Sequence, residues 1–226
     1  MTLRLTAHNA ATESENRIHS DEVARQFGFH GGLVPGVTVY GYLMRTVGEL
    51  PRSAQVRLFK PVFDGDELVI RMEANLVTAN RQDELCAQLT LGGFEHEFPP
   101  IPDAPLPDRD ARPPATAATL TPGMVLGTLR TQLEDTEPDT LLNLANLALL
   151  DNFLLNPWLH VASEITYSGA SRAGDPVAAH SRIHDRFEKK GREFVVLDVV
   201  LSQGSTLVQS IRHTAIYRLG SLAGCG

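Results

Sequence analysis

The chain has 226 residues, of which 42% are hydrophobic and 21% charged, with a net charge of −7. That length and balance suit a globular protein of one large or two small domains with a sizeable core. The acidic charge without clustered Lys and Arg argues against a nucleic-acid partner, and the apolar runs are too short to span a bilayer.

Met1 leads into Thr2-Leu3-Arg4-Leu5-Thr6-Ala7-His8, which is not a secretory leader, so the expected compartment is the cytoplasm. Two cysteines, Cys86 and Cys225, give neither a disulfide framework nor metal spacing and read as free thiols. Residues 3–8 predict a short first strand. A loop follows with Glu13-Ser14-Glu15-Asn16-Arg17-Ile18-His19-Ser20-Asp21, then a brief helix over 21–27 that stops at Gly28. Gly31-Gly32-Leu33-Val34-Pro35-Gly36 opens a helix over 36–47, apolar almost all round and therefore buried.

This stretch carries the chemistry. His19 can exchange a proton near neutral pH, and Glu13 or Glu15 is close enough in sequence to orient it. Gly36, at the helix start, leaves backbone N–H groups open to a developing oxyanion. An acid/base pair beside such a helix start suits proton transfer at, or conjugated to, a thioester carbonyl. The plainer reading is a capping histidine beside glycines that permit positive φ.

Beyond it, residues 55–63 and 68–76 predict strands around a turn at Asp64-Gly65-Asp66, and 85–91 another. Residues 99–122 are rich in proline and read as an extended linker. A second apolar helix over 141–155 follows, then strands over 160–167, 176–186, 194–202 and 208–217, with a hairpin turn at Lys189-Lys190-Gly191. The Gly-Asp turns at Gly65 and Gly174 stand 109 positions apart. Such self-similarity predicts an α+β protein of two copies of one unit, each a helix in a curved antiparallel sheet, related by an approximate two-fold axis.

The segment Asn16-Arg17-Ile18-His19-Ser20-Asp21, with Ala24, Gly28-Phe29 and Gly31-Gly32-Leu33-Val34-Pro35-Gly36, resembles the hydratase motif of the MaoC-like family, the (R)-specific enoyl-thioester hydratases and dehydratases. The resemblance implies a double hotdog fold: residues 1–98 carry the motif, 99–122 link, 123–219 form a second half without it, and 220–226 are a flexible tail. It matches Asn16 to the family's asparagine, Ile18 to its aliphatic residue, His19 to the catalytic histidine and Gly36 to the glycine whose N–H faces the thioester oxygen. Ser14 stands where the family has its aspartate, Arg17 where it has proline, and Pro35 where it has histidine. Glu13 or Glu15 would then supply the carboxylate.

Val34, Val37 and Tyr40 are expected to line the substrate site. The implied ligand is an acyl-CoA or acyl carrier protein thioester, with no cofactor and no metal, and a homodimer is compatible with the fused pair. Asn156-Pro157-Trp158-Leu159-His160 partly repeats the motif but lacks the glycine-rich helix entrance, so His160 reads as a structural residue between the halves. His180, His184 and His213 fall on strands without a ligand role. The leading function is hydro-lyase chemistry on a 2-enoyl or 3-hydroxyacyl thioester. The alternatives are a hotdog thioesterase and a non-catalytic acyl-binding or partner protein.

Overall fold

The computed structural model describes residues 1–96, 98–155 and 157–220. Cys225, the tail beyond 220 and Asn156 lie outside the described residues. Among the described residues ten strands form one antiparallel sheet: β1 (Thr2–Thr6), β2 (Ser53–Leu58), β3 (Glu67–Glu73), β4 (Leu76–Arg81), β5 (Glu84–Leu91), β6 (Leu129–Gln132), β7 (Leu159–Tyr167), β8 (Pro176–Lys189), β9 (Arg192–Gln203) and β10 (Thr206–Arg218). The same described residues hold three α-helices: α1 (Asp21–Gln26), α2 (Gly36–Met44) and α3 (Pro138–Leu150).

The spatial order is β1-β3-β4-β5-β2-β7-β10-β9-β8-β6. Read inward from either edge, the two halves repeat the same topology, with α2 and α3 each placed between a half's first and second strand. The halves join where β2 pairs with β7. Gln55 stands opposite Glu164 in that register and donates Nε2–H to its Oε1 at 2.7 Å. Gln55 and Glu164 are 109 positions apart, the spacing of the two Gly-Asp turns, so the pseudo-two-fold axis passes through this pair.

Both helices pack on the same sheet face. Ala54, Val56, Ile70, Val77, Leu89, Ile165, Leu197 and Ile211 alternate inward along their strands and meet Tyr40, Leu43, Leu142 and Leu149 in one core common to both halves. Each of these valine, leucine and isoleucine side chains contributes about 1.5–3 kcal/mol by leaving water.

Several boundaries differ from the sequence reading. The 68–76 strand is two strands, β3 and β4, reversing at Ala74, whose φ is 52°. The apolar alternation runs in phase through the turn, and Ala74-Asn75 lacks the usual glycine, so the pattern hides the reversal. Strand β6 escaped because it is a short edge strand with one buried residue. The first strand ends at Thr6, the 55–63 strand is Ser53–Leu58, and the helices over 36–47 and 141–155 are Gly36–Met44 and Pro138–Leu150.

Residues 99–122 hold a 3₁₀ turn, Arg109–Ala111, and an isolated bridge from Pro114 to Leu154, and they are tied down as a strap. Thr128 donates its N–H to Ala104 O at 2.8 Å, Arg130 pairs with Asp103 at 2.8 Å, and Leu154 donates to Pro113 O at 2.9 Å. Among the described residues no helix is long and apolar enough to cross a membrane.

Candidate active site

The first half spends residues 7–35 between β1 and α2, whereas the second spends only 133–137 between β6 and α3. The longer loop carries the motif, which explains why the pseudo-two-fold gives one such site. A cavity of about 760 Å³ lies between the halves, lined by Ser14, Glu15, Asn16, His19, Val34, Gly36 and Val37 on one side and by Asn143, Asn146, Asp151, Trp158 and His160 on the other.

Asn16 caps the 3₁₀ turn Arg17–His19 by accepting from the Ile18 N–H. It is only 5% exposed and also engages both backbone groups of Trp158, donating Nδ2–H to the carbonyl at 3.0 Å and accepting the N–H at 3.3 Å. One asparagine thus fastens the motif loop to the other half. Ser14 Oγ donates to Asn16 O at 3.1 Å and is a loop constraint.

His19 follows one turn later. Its Nδ1 lies 2.6 Å from Leu33 O, which only accepts, so Nδ1 carries the proton and Nε2 is the bare nitrogen. Asn16 Nδ2 lies 3.3 Å from Nε2 and fixes the ring plane. Burial holds the imidazole pKa below 6.5, and the Leu33 carbonyl only partly opposes it, so His19 is neutral at neutral pH. The Gly31-Gly32 pair does not serve positive φ: neither residue is in that region, and a Cβ on Gly32 would stand 2.1 Å from His19 O. Close passage of the His19 backbone is what demands the glycine.

At Gly36 a Cβ would stand 2.4 Å from Leu58 Cδ1 and 2.8 Å from His160 Nδ1. Among the described residues no side chain caps α2, whose first turn, Gly36, Val37 and Thr38, borders the cavity with its N–H groups outside the helical ladder.

The acidic residues divide. Glu13 is exposed and stands outside the cavity lining. Glu15 borders the cavity, but Arg109 holds its Oε2 at 2.8 Å and the buried Arg112 its Oε1 at 2.7 Å. Both arginines come from the strap, and Arg112 also donates to Leu150 O at the end of α3 at 2.6 Å. Asp151, which the sequence reading missed, lines the cavity just beyond α3, and its carboxylate has no hydrogen-bond donor among the described residues. Burial raises its pKa, with Arg112 opposing. Only its place after the helix could have signalled it.

Tyr40 does not line the cavity. It is fully buried, and its hydroxyl makes a short hydrogen bond to Tyr167 across the halves; desolvation pushes both phenols up, Tyr167 to about 12. It faces the sheet because α2 turns its apolar side there.

His160 sits on β7, where the halves join. Its Nε2 and the Nδ1 of His213 each lie 2.9 Å from Ser163 Oγ, and the two rings stack with centroids 4.4 Å apart. Desolvation holds His160 down to about 4 and His213 well below its ordinary value. His184 pairs with Asp198 at 3.3 Å, and His180 lies 3.8 Å from Asp103. Cys86 is buried, and desolvation raises its thiol pKa.

No protein-family model matches the chain, and no curated protein matches it significantly. Solved structures do. A conserved hypothetical protein of Mycobacterium tuberculosis with a double hotdog fold superposes with TM-score 0.63 at 14% identity, covering 96% of this chain and 95% of that one. A MaoC-like dehydratase matches with TM-score 0.53 at 12% identity, covering 96% and 97%. An acyl-CoA thioesterase II from Mycobacterium marinum matches with TM-score 0.52 at 13% identity, covering 86% and 93%. At these identities the likeness is one of fold, and the fold is the hotdog.

Proposed function

We propose that this hotdog protein is a hydro-lyase acting on a 2-enoyl or 3-hydroxyacyl thioester of CoA or acyl carrier protein. The observation that carries the reading is His19, held neutral with its bare Nε2 at a cavity that also receives the uncapped first turn of α2. In hydration, His19 Nε2 takes a proton from water as the water oxygen bonds to the β-carbon. The enolate oxygen that forms is held by the Gly36 N–H, and the α-carbon takes that proton from His19 Nε2, which returns the imidazole to its neutral form, while the Asp151 carboxylate orients the water. Dehydration reverses these steps. Asn16 positions His19 and joins the halves, Val34 and Val37 border the acyl group, and Glu15 is a structural carboxylate.

A second reading has support in Asp151. A cavity carboxylate without a hydrogen-bond donor among the described residues, with Ser14 in place of the motif's acid, also suits directing water at the carbonyl itself, which is thioesterase chemistry.

The deciding experiment incubates purified protein with trans-2-enoyl-CoA esters and follows loss of the conjugated absorbance, the 3-hydroxyacyl product and free thiol. Hydrated product, lost by about 10²–10⁴-fold in both His19→Ala and Asp151→Asn at unchanged melting temperature, is expected. Activity should fall on the acid side with a midpoint below 6.5, since His19 must be neutral. Thiol release without hydrated product would make it a thioesterase. Binding without turnover would make it an acyl-binding protein, and an active His19→Ala would remove His19 from the chemistry.

A further inference from the structure

The α3 wall of the cavity is not a hydrocarbon surface. Asp139, Asn143 and Asn146, spaced four and three positions apart, fall on one stripe of the helix and all border the cavity. Asp139 packs against Gly41 of α2, whereas Leu150 and Asp151 stand beside the motif loop, so the two asparagines lie between the chemistry and the place where the helices close together.

Asn146 is 6% exposed and donates Nδ2–H to Asn143 Oδ1 at 3.1 Å. Its own Oδ1 is buried with no partner among the described residues, and the Asn143 amide N–H has none either. Exchanging nitrogen and oxygen in both amides leaves the same inventory: one acceptor and one donor without a partner, on two residues that border the cavity. A buried amide without a partner is costly, and leucine would fill that stripe as well if only an alkyl chain passed it.

We propose that Asn143 and Asn146 form a specificity site for a hydrogen-bonding group, a hydroxyl or a carbonyl, on the acyl part of the substrate. The inference rests on the thioester reading above and adds the class of acyl group. An acyl hydroxyl donates to the Asn146 carbonyl and accepts from the Asn143 amide; an acyl carbonyl accepts from the amide alone. Because the pair is deep between the helices, the group belongs several bonds beyond the thioester carbonyl.

The test measures equilibrium binding of hexanoyl-CoA and its 5-hydroxy and 5-oxo analogues, saturated esters that hydration does not consume, to the full chain and to Asn146→Leu and Asn143→Leu, with thermal melts confirming that each variant folds. The wild-type protein should bind the polar esters at least roughly tenfold more tightly than the alkyl ester, and Asn146→Leu should erase or invert that ratio. Alkyl binding as tight as polar binding, or a ratio unmoved in both variants, overturns the proposal while leaving the thioester reading intact. Equal weakening of all three esters would mean that the amides contact the pantetheine arm, and also overturns it. Failure of every ester to bind removes the thioester reading itself.

Discussion

Gly36 is the residue on which the site closes. Leu58 from β2 and His160 from β7 press on its α-carbon from the two halves, and a methyl group there would meet both. Gly36→Ala should therefore lower stability by about 1–3 kcal/mol through overpacking, and Leu58→Ala in the same chain should return part of it. Thermal denaturation reads both. A Gly36→Ala protein melting with the wild type would show that the cradle is slack and that the glycine serves only the ligand. The sequence marked Gly36 and His19 through local spacing. It could not mark Asp151, since a carboxylate one residue past a helix end is ordinary until a cavity forms beside it.

At the scale of elements, the strap does what its composition hides. Proline-rich and largely exposed, it reads as a spacer, yet it delivers Arg109 and Arg112 to Glu15 and Arg112 to the last turn of α3. An arginine on a helix-terminal carbonyl answers an acceptor the helix leaves open. Arg112→Met should cost about 1–3 kcal/mol through the lost bonds to Leu150 O, Arg109 O and Glu15. A double-mutant cycle with Glu15→Gln, read by chemical denaturation, should give a coupling of at least about 0.5 kcal/mol. Additive effects would mean that Glu15 and Arg112 are neighbours without being a clamp.

For the whole molecule, the buried His160–Ser163–His213 group couples folding to pH. Burial lowers the folded-state pKa of His160 from 6.5 to about 4, so the unfolded chain binds the proton first as pH falls. Its stabilisation is complete above pH 6.5 and is lost between 6.5 and about 4, reaching about 3 kcal/mol for His160, with His213 acting in the same direction. Denaturation midpoints across that range should fall steeply in the wild type and less in His160→Gln. Equal slopes would place the acid sensitivity elsewhere. Because both histidines lie under the joint of the two halves, the loss should appear as one transition and not as two.

The sequence alone determined the repeated unit, from the recurrence of a buried helix and period-two strands at a fixed offset, and singled out the loop that borders the cavity, because those signals are local. It was silent about the reversal at Ala74, where the alternation stays in phase, and about β6, where a single buried residue leaves no period to read. Which carboxylate remains available was decided only by the tertiary structure. Glu13 turns to solvent, Glu15 is taken by two arginines from a strap about a hundred residues away, and Asp151 arrives from the second half. Ion pairs and burial depend on which segments meet in space, and spacing along the chain carries no record of that.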